Sequence, residues 1–380
     1  MSIALFWLLA LTLYLVVAEL GKHLWVPIVG QLLVAALAIP ALLLLWAEPH
    51  AQLSATQLLA PAWLEFSYSF CFALLLGYIL SDVIDLELNR DCLKIALPSF
   101  LVPLLSGIAC AVWLLPESSW LSALAIGLLF SITAIPMLYL FLRSIDYPAQ
   151  ASKRLIHSAI VMDFLCWSLF ALAQGSSEPT SLFWPLLAAL LPIAFSYLKL
   201  PAPLYSLSFY ALMLLFEHLQ LNALLFGITY MLCMALRKQP FIQPLPRALH
   251  TRLLNWLAVP LILTYGVLQV DFHGLDQHLP VPLIVALIAV PIASKVLGSW
   301  LGLHWALPRT CTQIKWRESL LLNIRGLTEI VFLNLLLELQ LIEPMVYFGL
   351  LLMSLLATLL PALLGRRAFH LPPGSRYEIS

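Results

Sequence analysis

The chain has 380 residues, 62% of them hydrophobic and only 10% charged, with a formal net charge of zero. Soluble domains carry about a quarter charged residues, so this composition excludes a soluble globular class, and the charge balance offers nothing to nucleic acid. Cys71, Cys92, Cys110, Cys166, Cys233 and Cys311 are scattered through apolar stretches without a CxxC. That spacing argues against a disulfide framework or a zinc site and marks them as small buried apolar residues.

A helix crosses the hydrocarbon core with about 20 mainly apolar residues, and about thirteen such spans are predicted. In chain order they cover 3–21, 25–46, 63–84, 92–115, 119–142, 152–174, 181–198, 201–216, 219–236, 253–270, 279–303, 318–339 and 343–365. The first lacks a basic leader and a small-residue cleavage site, so it reads as a retained span rather than a signal peptide. Alternation of period two is absent, which disfavours a transmembrane barrel. The expected class is an all-α polytopic membrane protein, surrounded by the lipid bilayer. The connection from Arg237 to Arg252 contains Pro240, Pro244 and Pro246 and separates two groups of spans.

The basic residues fix an orientation. Of the nineteen Lys and Arg residues, all except Lys295 and Arg325 fall after an odd-numbered span, from Lys22 through Arg90, Lys153, Lys199, Arg237 and Arg309 to Arg376. The opposite loops hold Glu48, Glu117, Glu178, Asp271 and Asp276 with no Lys or Arg. The positive-inside rule then predicts an outer amino terminus, a cytoplasmic carboxyl terminus and a short cytoplasmic tail over 366–380. Short loops and the lack of a presequence suggest a bacterial inner (plasma) membrane.

Two spans carry helix breakers near their middles. Span five reads Ser131-Ile-Thr-Ala-Ile-Pro136, and span twelve reads Asn323-Ile-Arg-Gly-Leu-Thr-Glu329, with breaks expected at Pro136 and Gly326. Proline removes a backbone donor and glycine weakens a helix. Two interrupted spans seven apart run in opposite directions, as an inverted-repeat transporter requires at its binding site. Pro and Gly are also common in membrane helices generally.

Four charges fall inside spans: Asp163, Lys295, Arg325 and Glu329. Mid-membrane charges are costly and mark ion or proton paths. Asp163, in Ile160-Val-Met-Asp-Phe-Leu-Cys166, can bind a bare cation, or take a proton because removal from water disfavours its charged form. The other reading is a structural ion pair with Lys295 or Arg325. Arg325 and Glu329 share a helix face and can neutralise each other. Lys295 can titrate or act as a fixed counter-ion. Ser131 and Thr133 offer hydroxyls at the break, either to a cation or merely as interhelical glue. His157, His218, His273 and His278 carry no distinguishing pattern.

Together these segments resemble the monovalent cation:proton antiporter superfamily. The nearest resemblance is to the branch of plant CHX exchangers and bacterial Kef transporters, with its sodium/hydrogen exchanger-type transmembrane domain. The resemblance runs from Val26-Pro-Ile-Val-Gly30 through Ser131–Pro136, His157–Asp163 and Ser294-Lys-Val-Leu-Gly-Ser299 to Asn323–Asn334. It implies an inverted-repeat antiporter fold with two broken crossing helices. It further implies scaffold and dimer helices over 1–91 and 201–278, a moving core over 92–174 and 279–365, and a linker helix over 175–200. By position, Asp163 is the implied ion- and proton-binding carboxylate, with Thr133 and Ser131 at the crossing and Lys295, Arg325 and Glu329 as charged support. The implied partners are a monovalent cation (potassium or sodium), protons and a second copy of the chain.

The chain departs from the family where Met162 precedes the carboxylate instead of Asp, Asn or Gln. A thioether is a poor ligand for a hard cation, and one-for-one exchange on a single carboxylate is the simplest consequence. Two alternatives stand beside ion exchange: the same fold carrying an organic solute, or a membrane scaffold that has lost transport. No HExxH, GxSxG or histidine cluster is present, so neither an enzyme, a cofactor nor a metal beyond the transported cation is expected.

Overall fold

Inside a bilayer every backbone N–H and C=O must be paired within its own segment, so apolar runs of this length are committed to helix. The computed structural model describes residues 3–21, 27–81, 89–115, 119–145, 147–175, 179–219, 221–242, 246–270 and 281–369, and these contain no strand. The helices are α1 (Ile3–Gly21), α2 (27–51), α3 (Ala62–Ser81) and α4 (Arg90–Leu114). Next come α5a (Trp120–Ser131), α5b (Ile135–Ser144), α6 (Ala149–Gly175) and α7, which is split into Pro179–Ala188 and Leu191–Tyr197. The rest are α8 (Ala202–His218), α9 (Ala223–Leu236), α10 (247–268), α11 (Val281–Ala306), α12a (Thr312–Leu322), α12b (Leu327–Glu338) and α13 (Pro344–Phe369).

Each predicted span thus meets a helix or a pair of half-helices. Among the described residues, five stretches are long and apolar enough to cross a membrane unaided: Gly30–Ala51, Arg90–Leu114, Ala149–Ala173, Val281–Ala306 and Pro344–Pro361. Shorter apolar helices make up the remainder. The chain is an integral membrane protein.

Proline shapes several helices without ending them. The π-turns Val34–Ala38, Leu43–Ala47 and Leu254–Ala258 each lie just ahead of a proline, at Pro40, Pro49 and Pro260. The proline lacks the N–H that would bond four residues back and crowds that carbonyl, so the ladder widens by one residue there.

Several boundaries differ from the sequence reading. Helix α12a begins at Thr312, so Lys315 and Arg317 are helical rather than loop residues, and Lys315 is buried with Nζ 3.3 Å from His304 Nδ1. Helix α10 likewise starts at Arg247. Helix formation needs only a continuous backbone ladder, so these helices run past the edge of the apolar stretch. Five cysteines are buried as expected, but Cys311 is exposed immediately before α12a. Lys22, Glu117, Glu178, Asp271, His273, Asp276, His278 and Arg376 lie outside the described residues.

Packing divides the chain into two units. One comprises Met1–Val16, Ala38–Leu86 and Trp167–Gln269. Within it α9 packs on α7 and α8, and α3 packs on α8 and α10. Phe209 is central there, with its ring 5.5 Å from those of Tyr230 and Phe241.

The other unit comprises Val17–Leu37, Glu87–Cys166 and Val270–Ser380. Its most extensive interface joins α4 to α11. Gly298 and Gly302 form a GxxxG stripe on α11, the arrangement that lets membrane helices approach backbone to backbone. A Cβ on Gly302 would stand 2.5 Å from the Ile95 carbonyl oxygen, and one on Gly298 would stand 2.5 Å from that of Pro98. This close approach also brings Lys295, one turn earlier on α11, against the Ser99 carbonyl of α4.

Gly302→Val should therefore force α4 and α11 apart and destabilise the protein by about 1–3 kcal/mol, as overpacking does. Thermal unfolding in detergent would show a lowered midpoint, whereas an unchanged midpoint would exclude so tight a contact.

Candidate functional site

The site begins with two helices that stop in the middle of the second unit. Helix α5a ends at Ser131, three residues (Ile132, Thr133 and Ala134) are non-helical, and α5b resumes at Ile135. Pro136 is thus the second residue of the new helix, where its missing N–H costs nothing; its side chain lies outside the described residues. Helix α12a ends at Leu322, and α12b begins at Leu327 with Gly326 as its N-cap. A Cβ on Gly326 would lie 2.7 Å from Met137 Cγ and 3.1 Å from Ala134 Cβ, so glycine is required for α12 to pass this close to α5b.

Two hydrogen bonds tie the breaks together. The Ala134 amide donates to the Ile324 carbonyl at 3.1 Å, and the Thr133 hydroxyl donates to the Leu322 carbonyl at 3.1 Å. Four helix ends therefore meet at one place. Two are C-terminal and partially negative, and two are N-terminal and partially positive.

Asp163 reaches this crossing from α6. It is 4% exposed, and its Oδ1 accepts a hydrogen bond from the Thr133 backbone amide at 3.3 Å. The two basic residues attend to the end of α5a. Arg325 donates from Nη1 to the Leu129 carbonyl and from Nη2 to the Phe130 carbonyl, each at 2.7 Å. Lys295 donates to the Ser131 carbonyl, to the Ser99 carbonyl at 3.3 Å and to Met162 Sδ at 3.4 Å. Those three contacts match the three donors of an ammonium group.

Glu329 joins the cluster through Arg325, with Oε1 3.2 Å from Nη1, while its Oε2 accepts from the Ser354 hydroxyl of α13 at 2.9 Å. Thr358 on α13 donates to the Arg325 carbonyl at 3.0 Å. Arg325 and Glu329 thus do more than neutralise each other. Ser131 sits at the same crossing, but its hydroxyl donates to the Phe100 and Gly127 carbonyls at 2.9 and 3.1 Å, linking α5a to α4. His157 is half-buried on α6 and His218 is exposed at the end of α8.

A second buried charge group lies in the same unit and was not foreseen. Glu318 of α12a is fully buried and takes a bidentate contact from Arg154 Nη2, at 2.9 and 3.0 Å, plus a hydrogen bond from the Tyr147 hydroxyl at 3.2 Å. Glu318 and Arg154 each stood at the polar edge of a predicted span. Nothing in the one-dimensional pattern joins residues 164 positions apart. Among the described residues, no group of three His, Cys, Asp or Glu side chains could hold a resident metal.

No family model and no curated protein matches the sequence. Among solved structures, the chain is similar to the sodium proton antiporter MjNhaP1 from Methanocaldococcus jannaschii at pH 8. The TM-score is 0.61 and the identity 16%, and the match covers 96% of this chain and 96% of that one. Likeness at that identity shows the fold: an all-α membrane protein of the inverted-repeat antiporter type, with two broken helices that cross.

The Glu318–Arg154 pair should matter to stability far more than a surface pair. Glu318→Gln removes one partner of a buried ion pair and should cost roughly 3 kcal/mol, the lower part of the usual range because Arg154 keeps some contact with water. Asp91→Asn, which breaks the exposed Asp91–Lys94 contact at 3.8 Å, should cost under about 1 kcal/mol. Thermal unfolding of the two variants side by side would test this, and equal losses would exclude a special role for Glu318.

Proposed function

We propose that this protein exchanges a monovalent cation for protons, with Asp163 binding one or the other in turn. The observation that carries the reading is the placement of Asp163. It is a buried carboxylate held by a backbone amide where two broken helices cross, with two fixed cations engaged on neighbouring carbonyls. Competition between a cation and a proton for one carboxylate is the minimal chemistry of exchange. A cation leaves an anionic oxygen only when a proton takes its place, or the buried charge is left uncompensated. The antiporter fold supports the same reading.

The remaining assignments deepen it. Thr133 orients Asp163 through its amide and pins the crossing through its hydroxyl, while Ser131 serves through its carbonyl and its tie to α4. Lys295 and Arg325 support the crossing by engaging its carbonyls, and Glu329 does so by pairing with Arg325. With Met162 in place of a second acid or amide, exchange is one cation for one proton and moves no net charge. The core that carries the site corresponds to α4–α6 and α11–α13, displaced as a body between the two faces of the membrane. The positive-inside pattern supports an outer amino terminus and a cytoplasmic carboxyl terminus, short loops support a bacterial inner membrane, and the resemblance alone supports assembly as a homodimer. The cation is potassium or sodium, in keeping with the resemblance to the CHX and Kef branch and with the sodium substrate named for the similar structure.

Inside-out vesicles carrying a pH-sensitive dye test the proposal directly. Potassium, sodium and lithium added in turn should raise the luminal pH with the wild-type protein and leave it unchanged with Asp163→Asn. Imposing a membrane potential should not alter the wild-type response. Silence of well-folded wild type toward every cation would overturn ion exchange in favour of an organic solute or a scaffold role. Potential-driven accumulation would overturn the one-for-one stoichiometry.

A further inference from the structure

A hard monovalent cation needs several oxygen ligands, and most oxygens at the crossing are already engaged. The carbonyls of Leu129, Phe130 and Ser131 accept from Arg325 and Lys295, and those of Leu322 and Ile324 accept from Thr133 and Ala134. Met162, beside Asp163 in sequence, offers only a sulfur, which faces Lys295. Asn323 is different. It is fully buried between Leu322 and Ile324, the two residues whose carbonyls bind the α5 break. Yet neither its Oδ1 nor its Nδ2 has a hydrogen-bond partner among the described residues. Exchanging the amide's oxygen and nitrogen assignments leaves both atoms equally unpaired. The hydroxyl of Thr328, across the break, is also buried without a partner among the described residues.

An unpaired buried amide is costly, and a leucine of similar volume would avoid that cost. Natural structures keep such groups rarely, and a bound ion or water is one recognised reason. We propose that Asn323 supplies a neutral oxygen ligand to the transported cation from the break of α12, with its amide N–H groups serving waters the ion retains. The inference rests on the exchange reading of the same site. A neutral ligand fits it well: it strengthens cation binding without adding a second titrating carboxylate, so one cation still trades for one proton. It also puts the second ligand at the break of α12, while Asp163 is anchored at the break of α5 through the Thr133 amide, so cation binding depends on the two helices being crossed.

The test uses the full chain in proteoliposomes, with proton flux evoked by sodium, potassium and lithium, alongside thermal unfolding. Asn323→Leu should raise the apparent KM for the transported cation roughly tenfold or more, with the maximal rate at saturating cation largely kept. Its unfolding midpoint should equal or exceed that of wild type, because an unpaired polar group has been removed. Asn323→Ser, which keeps an oxygen on a shorter arm, should fall between and provides the measurement if the leucine variant does not fold. Asn323→Asp should tighten cation binding and make the flux respond to membrane potential. A wild-type KM in the leucine and serine variants would overturn the inference while leaving exchange at Asp163 standing. A lowered midpoint with unchanged KM would make Asn323 structural. Absence of any cation-evoked flux in wild type would overturn the exchange reading itself.

Discussion

The end of α5a is the constraint around which the second unit is organised. A helix that stops inside the membrane leaves its last carbonyls unpaired where no bulk water reaches, and each would cost several kcal/mol. Here three consecutive carbonyls, from Leu129 to Ser131, are taken by the side chains of Arg325 and Lys295. Positive side chains also complement the partial negative charge of a helix C-terminus, and burial strengthens that attraction. The break that opens a polar site is therefore stable only because two cations arrive from distant segments of the chain.

Those cations impose their own requirements. Arg325 needs Glu329 as a counter-charge, and Glu329 in turn takes a hydrogen bond from Ser354 on α13. Lys295 must come close to α4 as well as α5a, which the Gly298–Gly302 stripe permits by removing side chains from the α4–α11 interface. With Asp163 included, two acids and two bases occupy the site, and the group is neutral as a buried cluster must nearly be. Asp163 is anchored at the crossing by the Thr133 backbone amide, which donates to its Oδ1.

Much of this was legible in one dimension, for identifiable reasons. Apolar length marks spans because a bilayer leaves the backbone no alternative to helix, and every predicted span meets helical structure. The breaks in α5 and α12 were legible because Pro136 and Gly326 act through local backbone chemistry. The four buried charges stood out because Asp163, Lys295, Arg325 and Glu329 interrupt apolar runs where a charge is expensive. The polar edges of helices were misread, as with Lys315 and Arg317, because the start of a helix there is set by backbone pairing and not by hydropathy.

Sequence by itself determined the class, the helices, the two interruptions and the set of charges that must find partners. Only the tertiary structure decided the partners: Arg325 and Lys295 on the carbonyls of α5a, Glu318 beneath Arg154 and Tyr147, and Asn323 buried at the crossing with its amide unpaired. The physical reason is range. Hydropathy, proline and glycine act within a few residues, whereas hydrogen bonds between Thr133 and Leu322 or between Arg154 and Glu318 join segments more than a hundred residues apart. Those pairings exist only once the helices have packed.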